Sequence, residues 1–288
     1  MATYFITGSS RGLGLALAGL FASRDDVSKV FASARTESES IKKLVASSNG
    51  KIEFVRLDIT SAQSAKEAAA HVERSLNGKG LDVLINNAGV MPFTPNGIET
   101  MDDLDSTFKI NVTGVHYVTA EFLPLLRKGN LKKVVNLYVR PVSRIVCISM
   151  LTSEFRSTTL GSMDRASVYS PFPVPAYKVT KAALNMLTVQ YGLSFAKDGF
   201  TFVAVSPGVS SSSPAFDEAL FTDNFTQWVK TDLGGDQADL TLEQGSQAVV
   251  DIVLRITKED NGKFLNVHVP GWEHAEGMNQ YDGEIVPW

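Results

Sequence analysis

A glycine-rich turn set between a short apolar run and a helical segment constrains this chain more than any other stretch. Residues 3–7 form a strand-length run, Gly8-Ser9-Ser10-Arg11-Gly12-Leu13-Gly14 follows directly, and residues 15–21 continue with helical character. Glycines let the backbone come close to a pyrophosphate, and a helix N-terminus offers free N–H groups and a partial positive charge. A strand before the turn and a helix after it are the context in which such a pattern holds a dinucleotide rather than making a plain tight turn.

The same alternation of apolar run and helix continues along the chain. Residues 29–34 read as a second strand that ends at Arg35. At the tip of such a strand an acidic residue suits the 2′-OH of NAD, and an arginine suits the 2′-phosphate of NADP. Arg35, with Arg11 in the glycine turn as a second cation, favours NADP, because a guanidinium pairs well with phosphate. Residues 52–58 read as a third strand, and Thr60-Ser61-Ala62-Gln63 as a capping box opening a helix to about Leu76. Residues 81–85 are a fourth, running into Asn86-Asn87-Ala88-Gly89, whose small and amide side chains suit the crevice at a strand's carboxyl end. Thr100 to Asp103 is a further capping signal, ahead of a helix carrying Phe108, Ile110, Asn111, Val115, Val118, Phe122 and Leu126. Runs at 132–137, 200–205 and 263–268 add strands, and Thr241-Leu242-Glu243-Gln244 caps a helix to about Lys258. The pattern predicts one α/β domain over 1–288, a Rossmann-type doubly wound sheet of about seven mostly parallel strands in three α/β/α layers.

Composition narrows the classes of function. With 288 residues and 44% hydrophobic content the chain can bury a large core. A net charge of −4 without a basic run argues against nucleic acid or a membrane as partner, and no segment approaches a membrane span. The N-terminus lacks the features of a signal peptide, so a cytoplasmic location is expected. One cysteine, Cys147, and four scattered histidines (His71, His116, His268, His274) show no metal-ligand spacing, so no metal is expected.

Tyr177 and Lys181 stand four residues apart ahead of an apolar run with helical spacing, Leu184, Leu187 and Tyr191. On a helix they share one face, about one turn apart. A phenol ionises near pH ~10 and an ammonium beside it lowers that value toward neutrality. Such a phenol can give a proton to, or take one from, an oxygen that is being reduced or oxidised.

Taken together, Thr7-Gly8-x-x-x-Gly12-x-Gly14, Asp58, Asn86-Asn87-Ala88-Gly89, Asn111, Tyr177-x-x-x-Lys181, Ser206-Pro207-Gly208 and Thr231-Asp232-Leu233-Gly234 resemble the classical short-chain dehydrogenase/reductase family. Within it the chain looks most like the small NADP-dependent carbonyl reductases of the C-factor or sniffer type. The resemblance implies hydride transfer between NADP(H) and a small carbonyl or alcohol substrate. It makes Tyr177 the acid/base and gives Lys181 two tasks, tuning Tyr177 and touching the nicotinamide ribose. It places Asn111 on a relay water, Asp58 at the adenine, and Asn86 or Asn87 at the adenosine-side ribose. A hydroxyl of Thr158, or Ser157 beside it, would polarise the carbonyl. Gly8, Arg11, Gly12, Leu13, Gly14, Arg35, Gly89, Pro207, Gly208 and Thr231 complete the implied cofactor contacts. Homo-oligomers formed through the long helices are common in that family.

Two blocks of equal length interrupt the family pattern. Residues 132–137 read as the fifth strand, and 144–149 read as the same strand again, ending in Ser149-Met150 where the family has its hydroxyl pair. Excising 138–156 joins Leu137 to Ser157, and excising 209–227 gives Pro207-Gly208-Trp228-Val229-Lys230-Thr231. Both blocks can be written in codons that carry splice-like signals, so they read as retained introns or as genuine surface loops. Residues 213–229, with Phe216, Leu220, Phe221, Phe225 and Trp228, could equally form an amphipathic lid helix. The rival functional reading is a nucleotide-binding protein whose insertions disrupt the substrate pocket.

Overall fold

The computed structural model describes residues 1–137, 160–164, 166–167, 169–170, 172–207, 240–275 and 280–288, and the backbone of 210–211. The elements run β1 (Ala2–Thr7), α1 (Gly12–Ala22), β2 (Val27–Ala34), α2 (Glu39–Ser47), β3 (Ile52–Arg56), α3 (Ala62–Leu76) and β4 (Val83–Asn86). They continue with α4 (Leu104–Phe108), α5 (Val115–Lys128), β5 (Lys133–Leu137), α6 (Pro175–Phe195), β6 (Thr201–Ser206), β7 (Ser210–Ser211), β8 (Leu240–Thr241), α7 (Leu242–Arg255) and β9 (Phe264–Asn266). Seven strands form one sheet in the order β3-β2-β1-β4-β5-β6-β9, and each neighbouring pair is parallel. β7 and β8 make a separate two-residue parallel pair.

The central strands are buried almost along their whole length and mostly apolar, because both faces of a parallel sheet are covered. Side chains alternate between two cores accordingly. Tyr4, Ile6, Val83, Ile85, Val135 and Val203 pack against Leu17 and Phe21 of α1 and Val249 and Val253 of α7. Phe5, Leu84, Val134 and Phe202 face the other way, onto Val72 of α3 and Val118 and Phe122 of α5. α6 lies on that second side, where Leu184 meets Ala204 and Phe264. The doubly wound, three-layer expectation matches what is observed.

Of the two runs that read as strand five, Lys133–Leu137 takes the place between β4 and β6. The other run, both inserted blocks and the lid helix at 213–229 lie outside the described residues. Several local expectations need correction. Thr60 does not cap α3: Ser61 is the N-cap and its Oγ accepts from the Ser64 N–H, whereas Thr60 Oγ1 donates to Asp58 Oδ1 at 2.8 Å. Thr100 closes a 3₁₀ turn, Ile98–Thr100, and the helix begins only at Leu104 without a side-chain cap. That helix is also interrupted by a π-helical segment, Lys109–Gly114. By contrast Thr241 and Gln244 form the reciprocal capping box foreseen for α7. α2 has no counterpart in the sequence reading. Past β9 the chain returns along the sheet edge through antiparallel bridges Leu265↔Ile285 and His268↔Asp282, and Trp288 stacks on Phe264 with centroids 5.6 Å apart.

Candidate active site

All strands of the large sheet point their carboxyl ends the same way, and the strand order reverses between β1 and β4. Ligands of open α/β sheets bind at such a switch point. Here the glycine turn after β1 lies against the turn after β4. Gly8 has φ +71°, and a Cβ there would stand 2.9 Å from Ala88 Cα. A Cβ on Gly14 would come within 2.4 Å of the Gly8 carbonyl oxygen and 2.5 Å of Asn87 Nδ2, so only glycine fits. Thr7 Oγ1 accepts from the N–H groups of Asn87 and Ala88, both at 3.0 Å. Asn87 Nδ2 donates in return to the carbonyls of Thr7 at 2.8 Å and Gly8 at 3.2 Å. Thr7 was quoted in the sequence motif without a role, and it is the pin that ties the two turns together.

The turn opens α1, whose first turn carries no acidic residue and whose N-cap, Arg11, makes no side-chain cap bond. Its free N–H groups and dipole therefore face the switch point without a competing carboxylate. Arg11 and Arg35 are both exposed, Leu13 is buried, and Arg35 follows the tip of β2. Asp58, just beyond β3, has its carboxyl held below the usual range by the hydroxyl and N–H of Thr60, with smaller contributions from Arg35 and Lys109. Arg35 and Asp58 are thus neighbours at the end of the sheet where the adenosine side was expected.

Asn86 and Asn87 are engaged inside the fold. Asn86 is buried, and its Nδ2 donates to Thr119 Oγ1 at 3.1 Å and Asn136 Oδ1 at 2.9 Å. Asn136 Nδ2 passes the chain on to Thr188 Oγ1 on α6 at 2.9 Å. Asn111, only 1% exposed, sits in the π-helical segment. Its Oδ1 accepts from the Val90 N–H at 2.9 Å, and its Nδ2 donates to the Val90 carbonyl at 2.8 Å and to Thr180 Oγ1 at 3.1 Å. Thr180 Oγ1 donates to the Tyr177 carbonyl at 2.9 Å, so Asn111 is joined to the Tyr177 turn of α6. Thr180 was not singled out from sequence, although it lies between the two residues that were. π-Bulges recur at functional sites because they re-aim one side chain within a helix.

Tyr177 and Lys181 share the inner face of α6, 3% and 4% exposed. Lys181 Nζ lies 5.4 Å from the centre of the Tyr177 ring and donates to the Leu137 carbonyl, the last residue of β5, at 3.1 Å. Burial pushes the Lys181 amine down to about 7, so near neutral pH it stands between its two protonation states. The Tyr177 ring packs among Leu160, Tyr169, Phe172 and Val174, with Met91 alongside. Lys178 holds that wall: its amine donates to the carbonyls of Tyr169 and Phe172. Gly89 and Pro207 flank the same end of the sheet, and Gly89 lies close to Asn111, with 3.2 Å from its would-be Cβ to Oδ1. Gly208, Thr231, Thr158, Ser157 and Ser149 lie outside the described residues. Among the described residues no cluster of candidate metal ligands is found, and no helix is long and apolar enough to cross a membrane.

A glycine-turned, seven-stranded parallel sheet with a buried tyrosine–lysine pair at its carboxyl end defines a class of nucleotide-dependent α/β proteins. The family model described as short chain dehydrogenase matches residues 2–139. An uncharacterized oxidoreductase of Schizosaccharomyces pombe is 30% identical over 287 residues, covering 99% of this chain and 97% of its own length. A short-chain dehydrogenase/reductase of Aspergillus aculeatus is 30% identical over 282 residues, 93% of this chain and 98% of its own. Among solved structures, the NADPH-bound carbonyl reductase from chicken fatty liver superposes with TM-score 0.75 at 24% identity, covering 100% of this chain and 99% of that one. Carbonyl reductase Sniffer of Drosophila melanogaster gives TM-score 0.73 at 21% identity over 100% of both. The chain belongs to the short-chain dehydrogenase/reductase family and is an oxidoreductase of that class.

Proposed function

We propose that the protein is an NADP-dependent reductase of a small ketone or aldehyde, working reversibly on the alcohol. The observation that carries this reading is the burial of Tyr177 and Lys181 together on one face of α6, at the carboxyl end of β5. The glycine turn supports a bound dinucleotide, since neither Gly8 nor Gly14 has room for a side chain and the first turn of α1 is free of acids. Gly8, Arg11, Gly12, Leu13 and Gly14 would hold the pyrophosphate, and Arg35 with Arg11 the 2′-phosphate. Asp58 and Gly89 would line the adenosine side, joined by the backbone at Asn86 and Asn87. Pro207, with Gly208 and Thr231, would complete the nicotinamide side. NADP(H), when bound, supplies or accepts the hydride. That the chicken liver relative was solved with NADPH supports the choice of nucleotide.

In the reductive direction Tyr177 gives its phenolic proton to the substrate oxygen, and in the oxidative direction it takes that proton back. Lys181, held by the Leu137 carbonyl beside the phenol ring, favours the phenolate when it is charged and so eases both steps. Asn111, with both ends of its amide on Val90 and one on Thr180, braces the Tyr177 turn. A relay water would then rest beside this brace. Thr158, or Ser157, would hold the carbonyl oxygen. A cytoplasmic enzyme assembling with copies of itself completes the reading. The test is loss of nicotinamide absorbance with NADPH or NADH over a panel of ketones and aldehydes. Turnover with NADPH that vanishes in Tyr177→Phe is expected; nucleotide binding without oxidation of NADPH by any of the panel overturns the reading.

A further inference from the structure

The glycine turn after β1 and the loop that joins β2 to α2 are tied to one another by two rungs. In the first, the Ser9 N–H donates to the Ser33 carbonyl at 2.8 Å. The hydroxyls of these two buried serines both donate to the Ile6 carbonyl at 3.0 Å, which keeps the rung in place. In the second, Ser38 Oγ donates to the Ser10 carbonyl at 2.9 Å. The same oxygen caps α2, accepting from the Ile41 N–H at 3.3 Å. A hydroxyl can give one bond and take another at once, so Ser38 joins the start of α2 to the glycine turn.

The two arginines of the reading above hang from these rungs. Arg35 stands between Ser33 and Ser38, and Arg11 follows Ser10 directly. Both are exposed. Ordering a loop and a long side chain at the moment of binding counts against affinity, so a guanidinium grips a phosphate best when its backbone is already placed. The loop that carries Arg35 is pinned at one end by a backbone bond and at the other by a single hydroxyl.

We propose that Ser38 is a positioning residue for the choice of nucleotide: by bridging the Ser10 carbonyl and α2 it holds Arg11 and Arg35 where both can meet one 2′-phosphate. The proposal rests on the two-arginine reading of that phosphate, and it gives a residue outside the pair a share in separating NADP from NAD. α2 has anchors of its own, since Ile41 is buried and Leu44 and Val45 pack against the core. Loss of the Ser38 bond therefore loosens the loop and leaves the helix in place.

The test is binding of NADPH and of NADH, which differ only by the 2′-phosphate, to the full-length protein by fluorescence titration. Ser38→Gly removes the hydroxyl at little cost to the helix, because glycine is a tolerable N-cap. It is expected to bind NADPH about tenfold more weakly than the parent, equivalent to about 1.4 kcal/mol, and to bind NADH as the parent does. Ser38→Thr, which keeps a hydroxyl at the same carbon, is expected to restore the affinity for NADPH. Equal weakening toward both nucleotides in Ser38→Gly overturns the proposal, because it marks a hydroxyl that only supports the fold. Unchanged affinity for NADPH in a protein whose parent prefers NADPH overturns the proposal and leaves the two-arginine reading standing. A parent that binds the two nucleotides equally retires that reading, and the role of Ser38 with it.

Discussion

The two ends of the sheet each bury charged and polar groups, and they use them differently. At the amino end, Asp82 receives four bonds: from the Thr3 N–H at 2.9 Å, Thr3 Oγ1 at 3.1 Å, and the N–H groups of Asn130 at 2.8 Å and Leu131 at 3.3 Å. Nearby Lys133 closes the last turn of α7 through the Val253 and Leu254 carbonyls, where a cation also meets the negative end of the helix dipole. At the carboxyl end, Lys181 donates to the Leu137 carbonyl and its amine stands beside the ring of Tyr177. Both lysines have their amines lowered by burial. What separates them is the partner. Two helix carbonyls make a lysine a fastener, and in the function proposed above a neighbouring phenol makes it part of a site.

Four experiments can break or sharpen that contrast, taken from the largest expected effect. Tyr177→Phe should cut turnover by ~10²–10⁴-fold, the usual worth of a general acid, while the unfolding midpoint and NADPH binding by fluorescence stay near the parent values. Lys181→Met should cost roughly 10²–10³-fold in kcat. It should also change how stability depends on pH. Between about pH 7 and the ordinary lysine value of 10.5 the unfolded chain holds a proton that the folded lysine has lost. Stability from this group therefore rises with pH across that window, and the methionine variant should lack that rise in denaturant midpoints measured at pH 7 and 9.5.

At the other end the signs reverse. Asp82→Ala strands the buried N–H of Thr3 and removes the acceptor of the part-buried N–H groups of Asn130 and Leu131. It should lower stability by about 3 kcal/mol by denaturant titration, with kcat per folded molecule unchanged. Lys133→Met should be milder, a loss of about 1 kcal/mol, because the lost cap is offset by no longer burying an ammonium. Loss of turnover in folded Asp82→Ala or Lys133→Met would erase the distinction between the two ends.

The parts of this molecule that were plain in the sequence are those governed by short-range rules. Central strands such as Val83–Asn86 and Thr201–Ser206 are buried on both faces, so they read as apolar runs, Val83 to Ile85 and Phe202 to Val205, with polar residues only at their ends. The glycine turn and the Tyr177–Lys181 spacing are likewise local. α2 was not legible because it is short and buries only Ile41 fully, with Leu44 and Val45 partly covered against the core. The cap of α3 fell one residue late because Thr60 and Ser61 both carry hydroxyls, and which one caps depends on Asp58 capturing the first. The bonds of the Asn86 Nδ2 were not legible either, because its partners Thr119 and Asn136 stand 33 and 50 positions away. Ser38 escaped notice for the same reason, since the carbonyl it bonds lies 28 positions upstream in the glycine turn.

The return of the chain along β9 has a consequence of a different kind. β9 is only three residues long and stands last in the sheet, where an open row of backbone donors and acceptors would invite another molecule to add a strand. Here the Val286 N–H donates to the Phe264 carbonyl at 2.8 Å and the Asn266 N–H to the Glu284 carbonyl at 2.9 Å, so the row is already occupied. Trp288 on Phe264 clamps the end. The terminal stretch thus acts as a built-in guard against self-association through the sheet edge. Proteolytic trimming there would be felt first as aggregation and only afterwards as a loss of chemistry.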